Sequence, residues 1–340
     1  MVNFFSIINK KNFNNIILIL IITITCGFNI YLFSLISKEI RQKNKKYVTK
    51  LDKNNYILGI QNNLKYFYEH KPNTVMTDEN IPWLKDKIPV HSINSDGLNS
   101  EREYSLQKPK NVYRIAAIGD SFTHGAFVNT ADSYPAKLEK MLNQNIHCPN
   151  GKKFEVLNFG IPGYDFEYTV ERYILRGAKY SPDLILWFIK DDDFLEINEV
   201  TIPREKQLEI EKKIDISSLD YYIQGEDLYP LWQQASKELL EQWGESKIID
   251  YQFKQIQKLL TFFERPFLFF TFPGTQDKFK NLVSNLKNQR KNIYFYDNLV
   301  DIYGKKAFLL DHHPNEEGYD LIVKDLYSYL IRNGLISCRL

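Results

Sequence analysis

The chain has 340 residues, of which 44% are hydrophobic and 25% charged, and it carries a formal net charge of +2. These globular proportions exclude a disordered chain, a collagen-like fibre and a disulfide scaffold, and the near-neutral charge leaves no electrostatic footprint for nucleic acid. The length suits one sizeable core with appendages.

In chain order, the first feature is residues 16–36, a long apolar run that no ionisable side chain interrupts. About 20 such residues suffice to cross a hydrocarbon core as a helix. A buried core helix would carry a more polar face than Thr23, Thr25 and Asn29 provide. The run therefore predicts a single transmembrane anchor behind a short flank, residues 1–15. It is longer than the apolar part of a signal peptide, and Thr23 and Thr25 fit a lipoprotein cleavage site at Cys26 poorly. Lys10 and Lys11 precede it, whereas Lys38, Arg41, Lys43, Lys45 and Lys46 follow it. On their own, these charges place the bulk of the protein inside the cell.

Residues 37–110 read as a juxtamembrane stalk and irregular lead-in, rich in Lys and Asn at first and then broken by Pro72, Pro82, Pro89 and Pro109. A regular alternation follows. Short apolar runs at 112–118, 154–159, 184–189, 267–271 and 292–296 are interleaved with helical patterns at 133–142, 168–178, 251–263, 279–286 and 315–332. Apolar strands separated by amphipathic helices predict a parallel sheet covered on both faces, an α/β domain over residues 111–335. Such folds place their sites at the carboxyl ends of the strands. An insertion, residues 199–247, separates the third and fourth strands. Its Tyr221, Tyr222, Tyr229, Trp232 and Trp243 suit either a lid over a substrate or a small core of their own. Cys148 and Cys338 are able to pair if the chain is exported, which the sequence alone leaves open, and no Cys-x-x-Cys pair offers a structural metal site.

The chemistry-bearing residues gather at the predicted strand ends. Gly119-Asp120-Ser121-Phe122 closes the first strand. A serine on a tight strand-to-helix turn sits near backbone N–H groups able to hold an oxyanion, which suits a nucleophile; the same residues also make a good turn and N-cap. Asp311-His312-His313-Pro314-Asn315 precedes the last helix. His313 is the candidate base for Ser121, with Asp311, two residues earlier on the same side of an extended segment, holding its imidazole. The alternative is a plain loop in which Asn315 caps the helix and both histidines are exposed. His312 points away in this reading, and His124 suits the exposed rim of a pocket. Asn158-Phe159-Gly160-Ile161-Pro162-Gly163 and Asp191-Asp192-Asp193 close the second and third strands.

Taken in order, these blocks resemble the SGNH (GDSL-type) hydrolase superfamily: 119–121 its first block, 158–163 its second, 181–193 its third and 311–313 its last. Ile93-Asn94-Ser95-Asp96-Gly97-Leu98 resembles the membrane-anchored bacterial type, and the match covers residues 93–332. The resemblance implies a flavodoxin-like three-layer αβα sandwich with Ser121 as nucleophile, His313 as base and Asp311 as its orienter. It also implies an oxyanion hole from the N–H groups of Ser121 and Gly163 and a third-block side chain, no cofactor, and an anchored domain outside the cytoplasmic membrane. Two departures stand out. Asp192 occupies the place of the family's asparagine, and a carboxyl donates to an oxyanion only when protonated, which Asp191 and Asp193 would favour if close. The aspartate stands two residues before the histidine rather than three, where this chain has Leu310.

Three readings follow for the site. One is an acyl-ester hydrolase working through an acyl-enzyme. Another is an O-acyltransferase on a cell-envelope glycan, motivated by the anchor, which raises the effective concentration near such a substrate. The third, motivated by Asp192, is a catalytically silent binding protein. A metal phosphoesterase built on the two acidic blocks leaves the Gly-Asp-Ser turn unexplained. The expected partners are an acyl ester, on an envelope glycan or a lipid, and the membrane, with no nucleic acid.

Overall fold

Prolines that punctuate the lead-in also shape it. Pro72 lies between β2 (Tyr68–His70) and β3 (Thr74–Thr77), and Pro89 directly precedes β4 (Val90–Ile93). β2 pairs antiparallel with β1 (Tyr56–Leu58), and β3 with β4. The segment expected to be irregular thus carries two short strand pairs in the computed structural model, which describes residues 56–58, 64, 67–78, 84, 87–198, 237–297, 307–309, 312–336 and 338. Phe67 and Tyr68 are fully buried against Ile161, Tyr164 and Tyr168, so this part of the lead-in packs on the domain behind it. Its Glu69 pairs with Arg172 at 2.6 Å and Arg176 at 2.8 Å, the first of these pairs wholly out of water.

The five apolar runs form one parallel sheet: β5 (Val112–Ile118), β6 (Lys153–Asn158), β7 (Leu184–Ile189), β8 (Phe267–Thr271) and β9 (Ile293–Tyr296). Their spatial order is β6-β5-β7-β8-β9. Side chains alternate between faces along each strand. On β7, Leu184, Leu186 and Phe188 enter the core beneath α2 (Tyr134–Asn145) and α6 (Glu316–Arg332). Ile185, Trp187 and Ile189 enter the opposite core, beneath α3 (Phe166–Arg172), α4 (Glu245–Phe262) and α5 (Asp277–Gln289). Both faces are covered, as the unbroken apolar runs require. The chain reverses direction across the sheet between β6 and β7, with β5 between them, and such switch points open a crevice at the carboxyl ends of the strands.

Several boundaries differ from the sequence reading. The helix expected at 168–178 begins at Phe166 because the Asp165 carboxylate caps it, accepting from the Tyr168 amide at 2.9 Å, and it continues through a π turn (Tyr173–Gly177) and a 3₁₀ turn (Ala178–Tyr180). α4 starts at Glu245, so the last residues assigned to the insertion belong to a helix. Trp243 packs with Ile197, Leu239, Ile248 and Tyr251 in a satellite core rather than over the cleft. Tyr221, Tyr222, Tyr229 and Trp232 lie outside the described residues, as do residues 16–36. Among the described residues no helix is long and apolar enough to cross a membrane. Cys148 and Cys338 form a disulfide.

Candidate active site

The first strand leads straight into the site. After β5, Gly119 adopts φ +141°, and the single helical turn α1 (Ser121–His124) begins at once. The Asp120 carboxylate caps this turn, its Oδ1 accepting from the Phe122 amide at 2.9 Å. Gly125, at φ +88°, ends the turn and donates its N–H to the Ser121 carbonyl. A side chain at Gly119 would press on Thr123 Oγ1 at 2.5 Å and the Phe188 carbonyl at 3.1 Å, so glycine is required for β5 to turn here. The turn is then pinned from outside. Asn99 and Asn158 both donate to the His124 carbonyl, at 2.8 and 3.1 Å, and Tyr319 of α6 donates to the Phe122 carbonyl at 3.0 Å.

Across from this turn, the segment before α6 brings up the imidazole. Leu309 N–H donates to the His313 carbonyl at 2.9 Å, and Asn315 caps α6 by accepting from the Gly318 amide at 3.0 Å. Asn315 thus caps the helix as the loop reading has it, but His313 is only partly exposed, and its Nε2 lies 2.9 Å from Ser121 Oγ. Phe122 stacks on the His313 ring at 4.7 Å, and Phe127 meets it edge-on at 5.0 Å, fixing its plane. His312 is exposed, at φ +70°, and lines the same cleft. Asp311 lies outside the described residues.

The cleft has a volume of about 440 Å³ and is lined by Ser121, His313, Gly163 and the acidic end of β7. Gly163 is held from two sides: the Tyr68 hydroxyl of the lead-in donates to the Pro162 carbonyl at 2.5 Å, and Asn198, beyond β7, donates to the Gly163 carbonyl at 2.7 Å. The acidic block divides. Asp191 turns to Gln276, accepting from its amide at 2.9 Å and its side chain at 2.8 Å. Asp192 and Asp193 converge instead on Lys190, a residue that motif matching passed over. Its ammonium contacts Asp192, lies 2.9 Å from Asp120 and stands 3.6 Å from Asp193. Burial opposes this charge, but Asp120, Asp193 and Asp192 outweigh burial and hold Lys190 well above the usual lysine range. Burial in turn pushes the Asp193 carboxyl well above its ordinary value, against the pull of Lys190. Asp192 accepts from the ammonium through Oδ2, and Asp191, expected beside it, turns away to Gln276. The signal available in the sequence was a lone cation at a strand's carboxyl end among three carboxylates.

His124 also departs from expectation. It is 1% exposed, not on the rim, and its ring contacts those of His70 and His91, each at 4.7 Å between centroids. Burial, then the neighbouring histidines, lowers its pKa far below the ordinary imidazole value; burial, then Arg172 and His91, does the same for His70. His91 Nε2 meets the Asp78 carboxylate at 2.8 Å. The lead-in thus supplies two rings that floor the nucleophile turn.

No family model and no curated protein matches the chain. Solved structures are similar over about two thirds of it. A two-domain esterase active on acetylated mannans shares 12% identity over 67% of this chain and 51% of that one, with a TM-score of 0.42, so the match spans about half of that protein. AlinE4, an SGNH-hydrolase family esterase, shares 16% identity over 68% of this chain and 100% of that one, with a TM-score of 0.36. The Clostridium thermocellum family 3 carbohydrate esterase shares 17% identity over 65% of this chain and 96% of that one, with a TM-score of 0.37. At these scores the likeness carries no argument about chemistry, and the functional reading rests on the side chains described above.

Proposed function

We propose that the protein is a serine acyl-ester hydrolase of SGNH type, working through an acyl-enzyme. The observation that carries this reading is the 2.9 Å contact between His313 Nε2 and Ser121 Oγ at the mouth of a cleft on the sheet's switch point. A nucleophile and its base at that distance are able to pass a proton directly. In the first step Ser121 Oγ attacks the ester carbonyl carbon, its proton moves to His313, and the carbonyl π pair becomes an oxyanion. The amides of Ser121 and Gly163 are the candidate backbone donors to it. Collapse expels the alcohol, which takes the proton from His313, and water repeats the sequence to release the acid. Asp311 is assigned the orienting role on sequence grounds.

An extracytoplasmic domain behind a membrane anchor at residues 16–36 belongs to the same proposal. The Cys148–Cys338 disulfide supports it, because such bonds persist in oxidising compartments, and it weighs against the flanking charges. The test of the chemistry is labelling with a fluorophosphonate probe. The native chain is expected to label at one site, and Ser121→Ala is expected to abolish it; labelling retained in that variant would move the chemistry elsewhere. Turnover with an aryl ester, with and without a glycan acceptor, separates hydrolysis from acyl transfer.

A further inference from the structure

The acidic surroundings of Ser121 pose a problem for the proposed reaction. Asp120 Oδ2 lies 3.4 Å from Ser121 Oγ, and Asp192 stands where an oxyanion donor is expected. Carboxylates this close repel the charge that develops when an ester is attacked. The structure contains an answer. The oxygen of Asp120 that faces Ser121 is the one that Lys190 Nζ approaches to 2.9 Å, so ammonium and nucleophile flank a single carboxylate oxygen. An ammonium carries three N–H donors. Asp192 accepts from one of them, Asp120 pairs with the charge at 2.9 Å, and Asp193, at 3.6 Å, is beyond hydrogen-bond reach. Lys190 lines the cleft, and its ammonium stands 5.4 Å from the centre of the Phe122 ring, the same ring that stacks on His313.

We propose that Lys190 is a catalytic residue of the hydrolase reading, its remaining N–H donating to the acyl oxyanion while its charge cancels the repulsion of Asp120 and Asp192. The ammonium replaces the neutral amide that Asp192 displaces, and the acidic block becomes its socket. No proton leaves Lys190 in the cycle. The charge of the oxyanion forms beside it and disappears on collapse, with the proton travelling through His313 throughout.

The inference rests on the hydrolase reading, and the experiment separates the two. The native chain, Lys190→Met, Lys190→Arg and the pair Lys190→Met with Asp192→Asn are compared for fluorophosphonate labelling rate, for kcat and KM on an aryl acetate, and for thermal melting, across mildly acidic to neutral pH. Loss of one oxyanion donor costs on the order of 100- to 1,000-fold in kcat. Lys190→Met is expected to lose that much with KM little changed, and Lys190→Arg to recover part of it. The native-to-Met ratio should shrink as pH falls, because protonating the abandoned carboxylates removes their repulsion. The pair should recover at least about tenfold over Lys190→Met, since an amide restores a neutral donor. A merely structural lysine would move the melting temperature and the amount of active protein but leave the pH dependence of that ratio flat. A native chain that labels, with Lys190→Met folded and labelling at the native rate, overturns this inference alone. A native chain that neither labels nor turns over overturns the hydrolase reading and this inference together.

Discussion

Two strand ends meet at the cleft and are held by different means. At the end of β5 the nucleophile turn is fixed by backbone. Gly119 and Gly125 take conformations that side chains resist, and three polar side chains from other elements donate to the carbonyls of α1. At the end of β7, charges hold one another. Lys190 gathers three carboxylates around its ammonium, and Asp193 also accepts from the Lys190 amide at 2.9 Å. The first arrangement sets geometry and resists change sterically. The second sets potential, which pH and single charges alter without moving an atom far. Damage to the β5 end should therefore register as lost chemistry or lost folding, and damage to the β7 end as altered rate and pH response.

The largest expected effect is Ser121→Ala, which removes the nucleophile and leaves the fold intact. Turnover should fall by at least about 10⁴-fold, measured as kcat against an aryl ester, with melting unchanged. Next comes Gly160→Ala, which attacks the β5 end from the neighbouring strand. An added methyl would lie 2.3 Å from the His124 amide nitrogen and 2.7 Å from the Thr123 carbonyl carbon, both backbone atoms without freedom to retreat. Overpacking of that kind should cost about 3 kcal/mol or more, read from a denaturant midpoint.

These two sites also mark what was legible in the sequence. Ser121 and His313 are separated by 192 positions, yet Ser121 follows a strand and His313 precedes a helix whose apolar periods are plain, and such a sheet gathers its sites at the carboxyl ends of its strands. Gly160 belonged to a recognisable Gly/Pro turn, though the reason for it, the close approach of the His124 backbone, exists only in three dimensions. The lead-in was illegible for a physical reason: strands of three and four residues are too short to display a period, and Pro72 and Pro89 read as breakers when they in fact bound strands. His124 was misplaced for the same reason, because the rings that bury it arrive on those strands. Lys190 escaped notice because its role comes from Asp120 on another strand. Asp311 is the one proposed site residue that falls outside the described residues.

The buried histidines sharpen the comparison by making part of the β5 end respond to pH as well. In the unfolded chain a histidine takes up a proton near pH 6.5, whereas burial keeps His70 and His124 neutral to much lower pH in the folded chain. Below about pH 6.5 the unfolded state therefore binds more protons, and stability falls as pH drops. The decline should approach about 1.4 kcal/mol per pH unit for each histidine kept neutral. It stops only where the folded state itself protonates. Arg172 beside His70 and the neighbouring histidines beside His124 oppose that protonation, while the Asp78 carboxylate meets His91. Melting curves between about pH 5 and 7 should show this slope, and His70→Phe should flatten it by roughly one proton. A slope unchanged in that variant would place the acid sensitivity in the carboxylates instead.

Asp192→Asn should produce the smallest change, and it bears directly on how charge is arranged at the β7 end. Asp192 is half exposed, so losing its contact with Lys190 should shift stability by no more than about 1 kcal/mol. The rate has two opposing contributions. Removing a carboxylate beside the developing oxyanion lowers the barrier, and the amide adds a donor. Against this, the ammonium loses one of its anchors and keeps only Asp120 close and Asp193 at 3.6 Å. Because Lys190 already offsets the charge of Asp192, the gain left to collect is limited, and kcat should rise by no more than about tenfold, roughly 1.4 kcal/mol of barrier. A fall in kcat would mean that the anchor matters more than the repulsion, making Asp192 a positioning residue that aims the ammonium. Either sign is readable in one pH-resolved comparison of kcat, since the repulsive contribution fades toward acid pH and the anchoring one fades with it only when Asp192 itself takes up a proton.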